Sequence, residues 1–506
     1  MESGRGCRPP PVQWNSHICE RTLQLRLPWL KERWLLLSLA GLDAAALGLL
    51  YNLTYWSRLG TVEGINRALV VLIGLWLGSS YLLGRYSRRS EAGDAGRGGP
   101  AWFSAALVAL LLLAVVLAHS WLFRVVDAPT RFRGFLAPML LAMALVSTGL
   151  QTLMRRGSGD PGRPWLLVAT AGELAVLRHE LACEPGGGPP VFLWDADLLA
   201  NADLAALPPV GALALSDRLN LDDRQLEQFL RLRSQGLVVM SLVNWAEQVL
   251  QRVPPELLSR EALLRSEGFA LLPGRFGWRV KRAGDLVVAS LLLLATLPLM
   301  AVAGLLIWLE DRGPLLYSQQ RSGLYGQIYR VRKLRSMRTD AERLGARWAS
   351  RGDDRITRVG HWLRRLRLDE LPQLLAVLSG EMSLIGPRPE RPELEHDLER
   401  QIPHYRIRHW LRPGLSGWAQ VCYPYGASLE DSRMKLAYDL YYLRNANLLL
   451  DLLILFKTIR LVAGARGAVP LATSATLSSP DDRTPAGTAA APRPWPGARA
   501  SGPGRG

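Results

Sequence analysis

The chain has 506 residues, enough for about three domains. Apolar residues make up 49% and charged residues 21%, with a mean hydropathy of +0.07, which excludes a mainly disordered chain and argues against a wholly soluble one. Lys and Arg number 61 against 44 Asp and Glu, a net charge of +17, so an anionic partner is expected: nucleic acid, acidic lipid headgroups or a phosphorylated substrate.

The four cysteines, Cys7, Cys19, Cys183 and Cys422, form no CxxC pair, so neither a disulfide framework nor a zinc signature is present and a reducing, cytoplasm-facing chain fits. Residues 1–33 lack the order of a signal peptide and read as a cytoplasmic segment. Four apolar runs follow within 34–154: Trp34–Leu53, Ala68–Leu83, Ala101–Phe123 and Gly134–Met154. A bilayer core needs about 20 apolar residues of helix, so four transmembrane helices are expected, the second being the shortest run. Asp43 in the first is costly in lipid and is expected to face other helices. Arg and Lys are densest before the first run, between the second and third, and after the fourth, which places the N-terminus and residue 155 onward inside.

Gly157–Pro164 reads as a linker. Beyond it, strand-like runs at Trp165–Thr170, Val191–Trp194, Gly211–Leu215 and Leu237–Leu242 alternate with helical stretches at Glu173–Cys183 and Asp222–Ser234. That alternation predicts a Rossmann-like α/β domain over 155–275. The turn after its first strand, Ala169-Thr170-Ala171-Gly172-Glu173, lacks the GxGxxG glycines that let backbone approach a pyrophosphate, so the scaffold reads as degenerate and without a cofactor. Leu286–Leu309 is a fifth run long enough to span, with Pro298 near its middle, where a break or kink is expected. Residues 466–506, rich in Ala, Pro, Gly, Ser and Thr, read as a disordered tail.

Within 276–465 arginine is dense and interleaved with glycine, proline and acidic pairs. Asp369-Glu370 is an adjacent carboxylate pair just after several cations, suited to a divalent metal with oxygen ligands, or to a nucleophile beside a metal ligand. Gly386-Pro387-Arg388-Pro389 is a rigid turn that would hold one arginine with little entropy left to lose, Pro387 and Pro389 being structural. Arginine forks match phosphate oxygens. Each feature alone has a blander explanation, a solvated surface pair or a basic stripe gripping acidic headgroups.

Together, and in order, Lys333-Leu334-Arg335-Ser336-Met337, Leu368–Leu374, Gly380–Pro389, Arg412–Gln420 and Tyr438–Tyr442 resemble the bacterial sugar transferases, polyprenyl-phosphate glycosyl-1-phosphate transferases of the monotopic phosphoglycosyl transferase superfamily. The four spans and the α/β domain resemble its long-chain members, which initiate exopolysaccharide, capsule or O-antigen synthesis. Two departures stand out: Leu334 where the family commonly has phenylalanine, and Arg367 where it has serine.

The resemblance implies an α-rich monotopic catalytic domain over 276–465 whose apolar helix 286–309 is re-entrant and broken at Pro298, facing the cytoplasm from the bacterial inner membrane. It implies Asp369 as nucleophile on a UDP-sugar, releasing UMP and forming an aspartyl phosphosugar that polyprenyl (undecaprenyl) phosphate then takes. It implies Mg²⁺ held by Glu370 and Asp369, and phosphate contacts from Arg388, Arg364, Lys333, Arg335 and Arg321. Membrane lipids are expected partners, homo-oligomerisation stays open, and nucleic acid is not expected. A transporter would place polar residues inside several spans, whereas here polar density lies after residue 310; a nucleic-acid binder would leave the apolar runs unexplained. The motifs do not specify the donor sugar.

Overall fold

The computed structural model describes residues 33–86, 101–122, 133–157, 164–183, 190–201, 210–264, 276–339, 341, 353–423, 426 and 428–463. The expected N-terminal segment, most of the linker and the tail lie outside the described residues, as do several of the loop arginines that set the orientation.

The early apolar runs form helices Trp34–Leu59, Arg67–Leu82, Ala101–Leu122 and Arg133–Gly157. Their inward faces interlock through Leu47, Tyr51, Trp76, Val108, Leu136 and Met143. Asp43 faces the bundle as expected: it is completely buried and accepts hydrogen bonds from the Tyr86 hydroxyl (2.6 Å) and the Ser147 hydroxyl (2.7 Å). One expectation changes. Arg67–Leu82 has 16 residues, about 24 Å at 1.5 Å rise, short of a core about 30 Å thick. Its apolar run gives out at a turn, where Arg85 folds back to donate to Ser147 (2.7 Å). Among the described residues, the helices long and apolar enough to cross a membrane are the first, third and fourth of this group together with Phe276–Asp311.

The middle region is a parallel sheet of β1 (Trp165–Val168), β2 (Val191–Trp194), β3 (Ala212–Leu215) and β4 (Val238–Ser241) in the order β2-β1-β3-β4. Alternation along β1 builds two faces. Leu166 and Val168 pack toward the helices Ala196–Asn201 and Asp223–Ser234; Leu167 packs toward Ala171–Ala182 and Leu242–Val249. The order is the flavodoxin-like one rather than the dinucleotide-binding 3-2-1-4. At the β1/β3 switch point Glu173 closes a capping box with Thr170, accepting from its backbone N–H, and lies 3.7 Å from Arg218. A carboxylate of the protein itself therefore stands where a bound phosphate would be sought.

The C-terminal region is mainly helical, with a hairpin of β5 (Leu316–Ser322) and β6 (Ile328–Leu334) that the sequence reading did not anticipate, and a short parallel pair, β7 (Ser383–Ile385) and β8 (Gly414–Ser416). The break expected at Pro298 is not seen: one 36-residue helix, Phe276–Asp311, contains it. Proline there removes the N–H that would reach the Leu294 carbonyl and its ring crowds that carbonyl, which bends a helix without unwinding it, and residues on both sides remain helical. Both ends of this helix dock on the C-terminal region. Near its start Lys281 pairs with Asp451 (2.6 Å) and Asp285 accepts from Ser383 (2.7 Å). Near its end Ala303 and Ile307 pack on Leu334 and Leu363, and Asp311 pairs with Arg335 (2.6 Å). Between the docked ends Leu291, Leu294, Leu297 and Val302 are exposed.

The middle and C-terminal regions share one core, in which Leu174, Leu177, Trp245 and Leu257 join Trp418, Leu436, Leu440 and Tyr441. The Val253 N–H donates to the Ala437 carbonyl (2.9 Å) and the Trp418 indole to the Gln251 carbonyl (3.0 Å). Packing thus crosses the expected boundary near residue 275.

Candidate active site

Four segments converge on Asp369 and Glu370. The carboxylates sit on a 3-10 turn, Leu368–Gln373, entered through Arg367 in the left-handed region (φ 55°). Pro372 and the helix Leu374–Ser379 hold the turn from behind. The end of β6 supplies Lys333, the helix Arg358–Arg365 supplies Arg364, and the turn after β7 supplies Arg388. That turn is close-packed: a Cβ on Gly386 would stand 2.4 Å from the Arg412 carbonyl, and one on Gly414 2.1 Å from the Gly386 nitrogen. Only glycines let the two strands' backbones cross there, which fixes Pro387, Arg388 and Pro389.

The adjacent carboxylates have opposite environments. Glu370 is held by three cations: Arg388 at 2.8 Å, Lys333 at 2.9 Å and Arg367 at 3.4 Å. Burial pushes its pKa up, but Arg388, Lys333 and Arg367 overcome this and keep Glu370 well below the usual carboxylate range. Asp369, equally buried, accepts no hydrogen bond among the described residues. Burial and the neighbouring Glu370 charge push it up to about 6, with Lys333, Arg364 and Arg388 pulling the other way.

The remaining sequence-predicted residues divide. Arg364 acts on Asp369 through its charge. Arg321 lies behind the Arg388 turn, donating to the Pro389 carbonyl (3.1 Å) and to Gln319 (2.6 Å) rather than to the carboxylates. Arg335 is not in the site: it is buried and bidentate to Asp311 at the end of the long helix. β6 ends at Leu334, so the chain turns away before Arg335 can follow Lys333.

Two contributors were not assigned from sequence. Arg367, noted only as a departure, is the third cation on Glu370. Arg408, also buried, donates to the Arg388 carbonyl (3.0 Å) and to Asp439 (2.9 Å), so the Tyr438–Tyr442 motif supports the Arg388 turn from beneath. Burial raises Asp439 to about 6 against the pull of Arg408.

The donor set suits Mg²⁺, being carboxylate oxygen without sulfur or imidazole. Among the described residues no three His, Cys, Asp or Glu side chains come together. Asp369 and Glu370 would hold an ion here, Glu370 by giving up one of its three cation contacts, and the ion would supply charge neutralisation.

Comparison with known proteins agrees with this geometry. The profile of the family described as bacterial sugar transferase matches residues 276–465. An Aeromonas hydrophila protein named UDP-N-acetylgalactosamine-undecaprenyl-phosphate N-acetylgalactosaminephosphotransferase is 46% identical over 199 residues, 39% of this chain and 47% of its own. A Caulobacter vibrioides protein named UDP-glucose:undecaprenyl-phosphate glucose-1-phosphate transferase is 43% identical over 181 residues, 35% of this chain and 68% of its own. A Rhizobium leguminosarum exopolysaccharide production protein is 39% identical over 186 residues, 36% of this chain and 93% of its own. The match spans about half of the Aeromonas protein's length, and it lies in the C-terminal half of this chain. The chain belongs to the bacterial sugar transferase family.

Proposed function

We propose that this chain transfers a sugar-1-phosphate from a UDP-sugar to undecaprenyl phosphate, the membrane step that begins exopolysaccharide, capsule or O-antigen assembly. The observation that carries the reading is the asymmetry of the carboxylate pair: Glu370 is neutralised by cations, while Asp369 is buried and accepts no hydrogen bond from the described residues. A carboxylate not already hydrogen-bonded is the better nucleophile, and the surrounding cations can receive phosphate charge.

In the first step an Asp369 oxygen attacks the sugar-linked phosphorus, the bond to the bridging oxygen breaks, and UMP leaves with that oxygen. In the second, a phosphate oxygen of the lipid attacks the same phosphorus and Asp369 departs as carboxylate. Arg388, Lys333 and Arg364 position and neutralise the phosphoryl oxygens. Mg²⁺, held by Asp369 and Glu370, would supply further charge neutralisation when bound.

Arg321 and Arg335 act in this reading as supports of the site rather than as phosphate ligands. The catalytic region sits on the cytoplasmic face of the inner membrane, with the long apolar helix entering and leaving by that face. Support comes from its two docked ends, because one body on one side of a bilayer cannot hold both ends of a spanning helix. Names of relatives include N-acetylgalactosamine and glucose donors, so the sugar stays open. The test is UMP release: enzyme and UDP-sugar without lipid should release UMP in amounts matching the enzyme, and complete the kinetics as ping-pong. Release that strictly requires lipid would contradict the two-step scheme.

A further inference from the structure

We propose that the root of the long apolar helix carries a binding site for the phosphodiester of an anionic phospholipid, built on Arg412 and Arg282 and separate from the carboxylate site. The inference rests on the reading that this helix lies in the bilayer.

A shallow hollow of about 260 Å³, counting its open mouth, is lined by Trp278, Arg282, Asp285, Ser383 and Arg412. The two guanidinium groups meet over Gly380: the Arg282 and Arg412 terminal nitrogens lie 3.3 and 3.9 Å from where a Cβ would stand, and Gly380 is at φ +91°. Arg282 is fixed by donating to the Val377 and Leu378 carbonyls at 2.5 and 2.9 Å. Arg412 lies over the Trp278 ring, 4.7 Å from its centroid. Among the described residues Arg412 forms an ion pair with no carboxylate. The nearby anion is already engaged: Asp285 accepts from the Ser383 hydroxyl (2.7 Å) and the Leu384 N–H (3.3 Å). Burial and the adjacent Arg282 lower Arg412's proton affinity, with the Asp285 charge pulling the other way.

Depth and chemistry agree. Trp278 is an interfacial aromatic, and the exposed apolar ridge of Leu286, Val287, Leu291 and Leu294 begins within about two turns of it. A lipid whose phosphate bridges Arg412 and Arg282 can lay its acyl chains along that ridge. A guanidinium pair suits a phosphodiester through charge-assisted bonds, and inner-leaflet anionic lipid is abundant at this level.

The test uses the full-length chain in lipid nanodiscs, with phosphatidylglycerol as the probe. On transfer to detergent, native mass spectrometry should show retained phosphatidylglycerol in the wild type and about tenfold less in Arg412→Gln, the loss of one charged hydrogen bond. Arg460→Gln, an equal charge change in the last turn of the helix Leu448–Ala463, should retain lipid as the wild type does. Thermal unfolding of Arg412→Gln should match the wild type, which reports on folding, and transfer activity of the wild type in purely zwitterionic discs reports on the transferase reading independently of the lipid site. If Arg412→Gln fails to fold, a phosphatidylglycerol carrying a photoreactive headgroup should label the wild-type peptides containing Trp278 or Arg412. Equal loss of lipid in both variants, labelling only elsewhere, or retention of polyprenyl phosphate in place of phospholipid would each overturn the proposal.

Discussion

Two clusters of arginine and carboxylate in this chain look alike in composition and differ in balance. Where the α/β region meets the helix Leu429–Asn445, Glu180 takes Arg252 (2.6 Å) and Arg433 (3.0 Å), Glu256 takes Arg433 (2.7 Å), and Glu247 takes Arg444, all in or beside a shared apolar core. Counting Glu430, which takes Arg433 at 3.0 Å, four carboxylates there meet three arginines, and every charge has a partner. Around Asp369 and Glu370, three cations converge on one carboxylate while its neighbour accepts no hydrogen bond among the described residues. A balanced buried cluster is complete and can only hold elements together, whereas a cation-rich one beside a bare carboxylate still has interactions to make.

The largest expected effect is at the balanced cluster. Glu180→Leu takes the buried carboxylate from Arg252 and one of its partners from Arg433, and breaking a buried network by removing one partner costs about 3–5 kcal/mol. Thermal or denaturant unfolding should show that loss, and the isolated fragment 276–465 should be poorly soluble, because Trp418, Leu436 and Tyr441 lose their cover. A fragment as stable as the full chain would mean that the interface holds nothing.

At the cation-rich cluster the effect should fall on rate instead. Arg388→Ala should lower kcat/KM by about 2–4 kcal/mol with little change in stability, the size of losing a charged contact to phosphate in a desolvated site. Equal losses of stability at both clusters would dissolve the distinction between them.

Acidity sharpens it further. Asp369, raised to about 6, must be ionised to attack, so the rate should fall about tenfold per unit below pH 6 and level off above it, with Glu370 ionised throughout. The stability contribution of this group runs the other way. A carboxyl whose folded value is raised above its unfolded one binds protons more tightly when folded, so its contribution is complete below about pH 4 and fades as pH rises through 6, and Asp439 adds the same sign. The smallest change is Arg367→Ser, expected to cost about 0.5–1 kcal/mol in kcat/KM, since its 3.4 Å contact is the longest of the three and two cations remain.

What the sequence disclosed follows from how local each signal is. The carboxylate pair, the Gly386–Pro389 turn and the parallel strands are written in neighbouring residues, and the structure places Lys333, Arg364 and Arg388 around that pair. Arg335 and Arg321 carry the same charge in the same stretch, yet their destinations depend on where β6 ends and which carbonyls face the hairpin. The interface cluster joins residues such as Glu180 and Arg433, which no pattern along the chain connects. Arg408 was equally hidden, because its role depends on Asp439, 31 residues away.

The central claim is that Asp369 carries the sugar phosphate. Wild-type enzyme incubated with UDP-sugar labelled in the sugar or the β-phosphate, with no lipid present, should retain label on the peptide containing Asp369 and discharge it when undecaprenyl phosphate is added. Asp369→Asn should retain none and show transfer lowered by at least about a thousandfold. A wild type that holds no label, together with an active Asp369→Asn, would contradict the account.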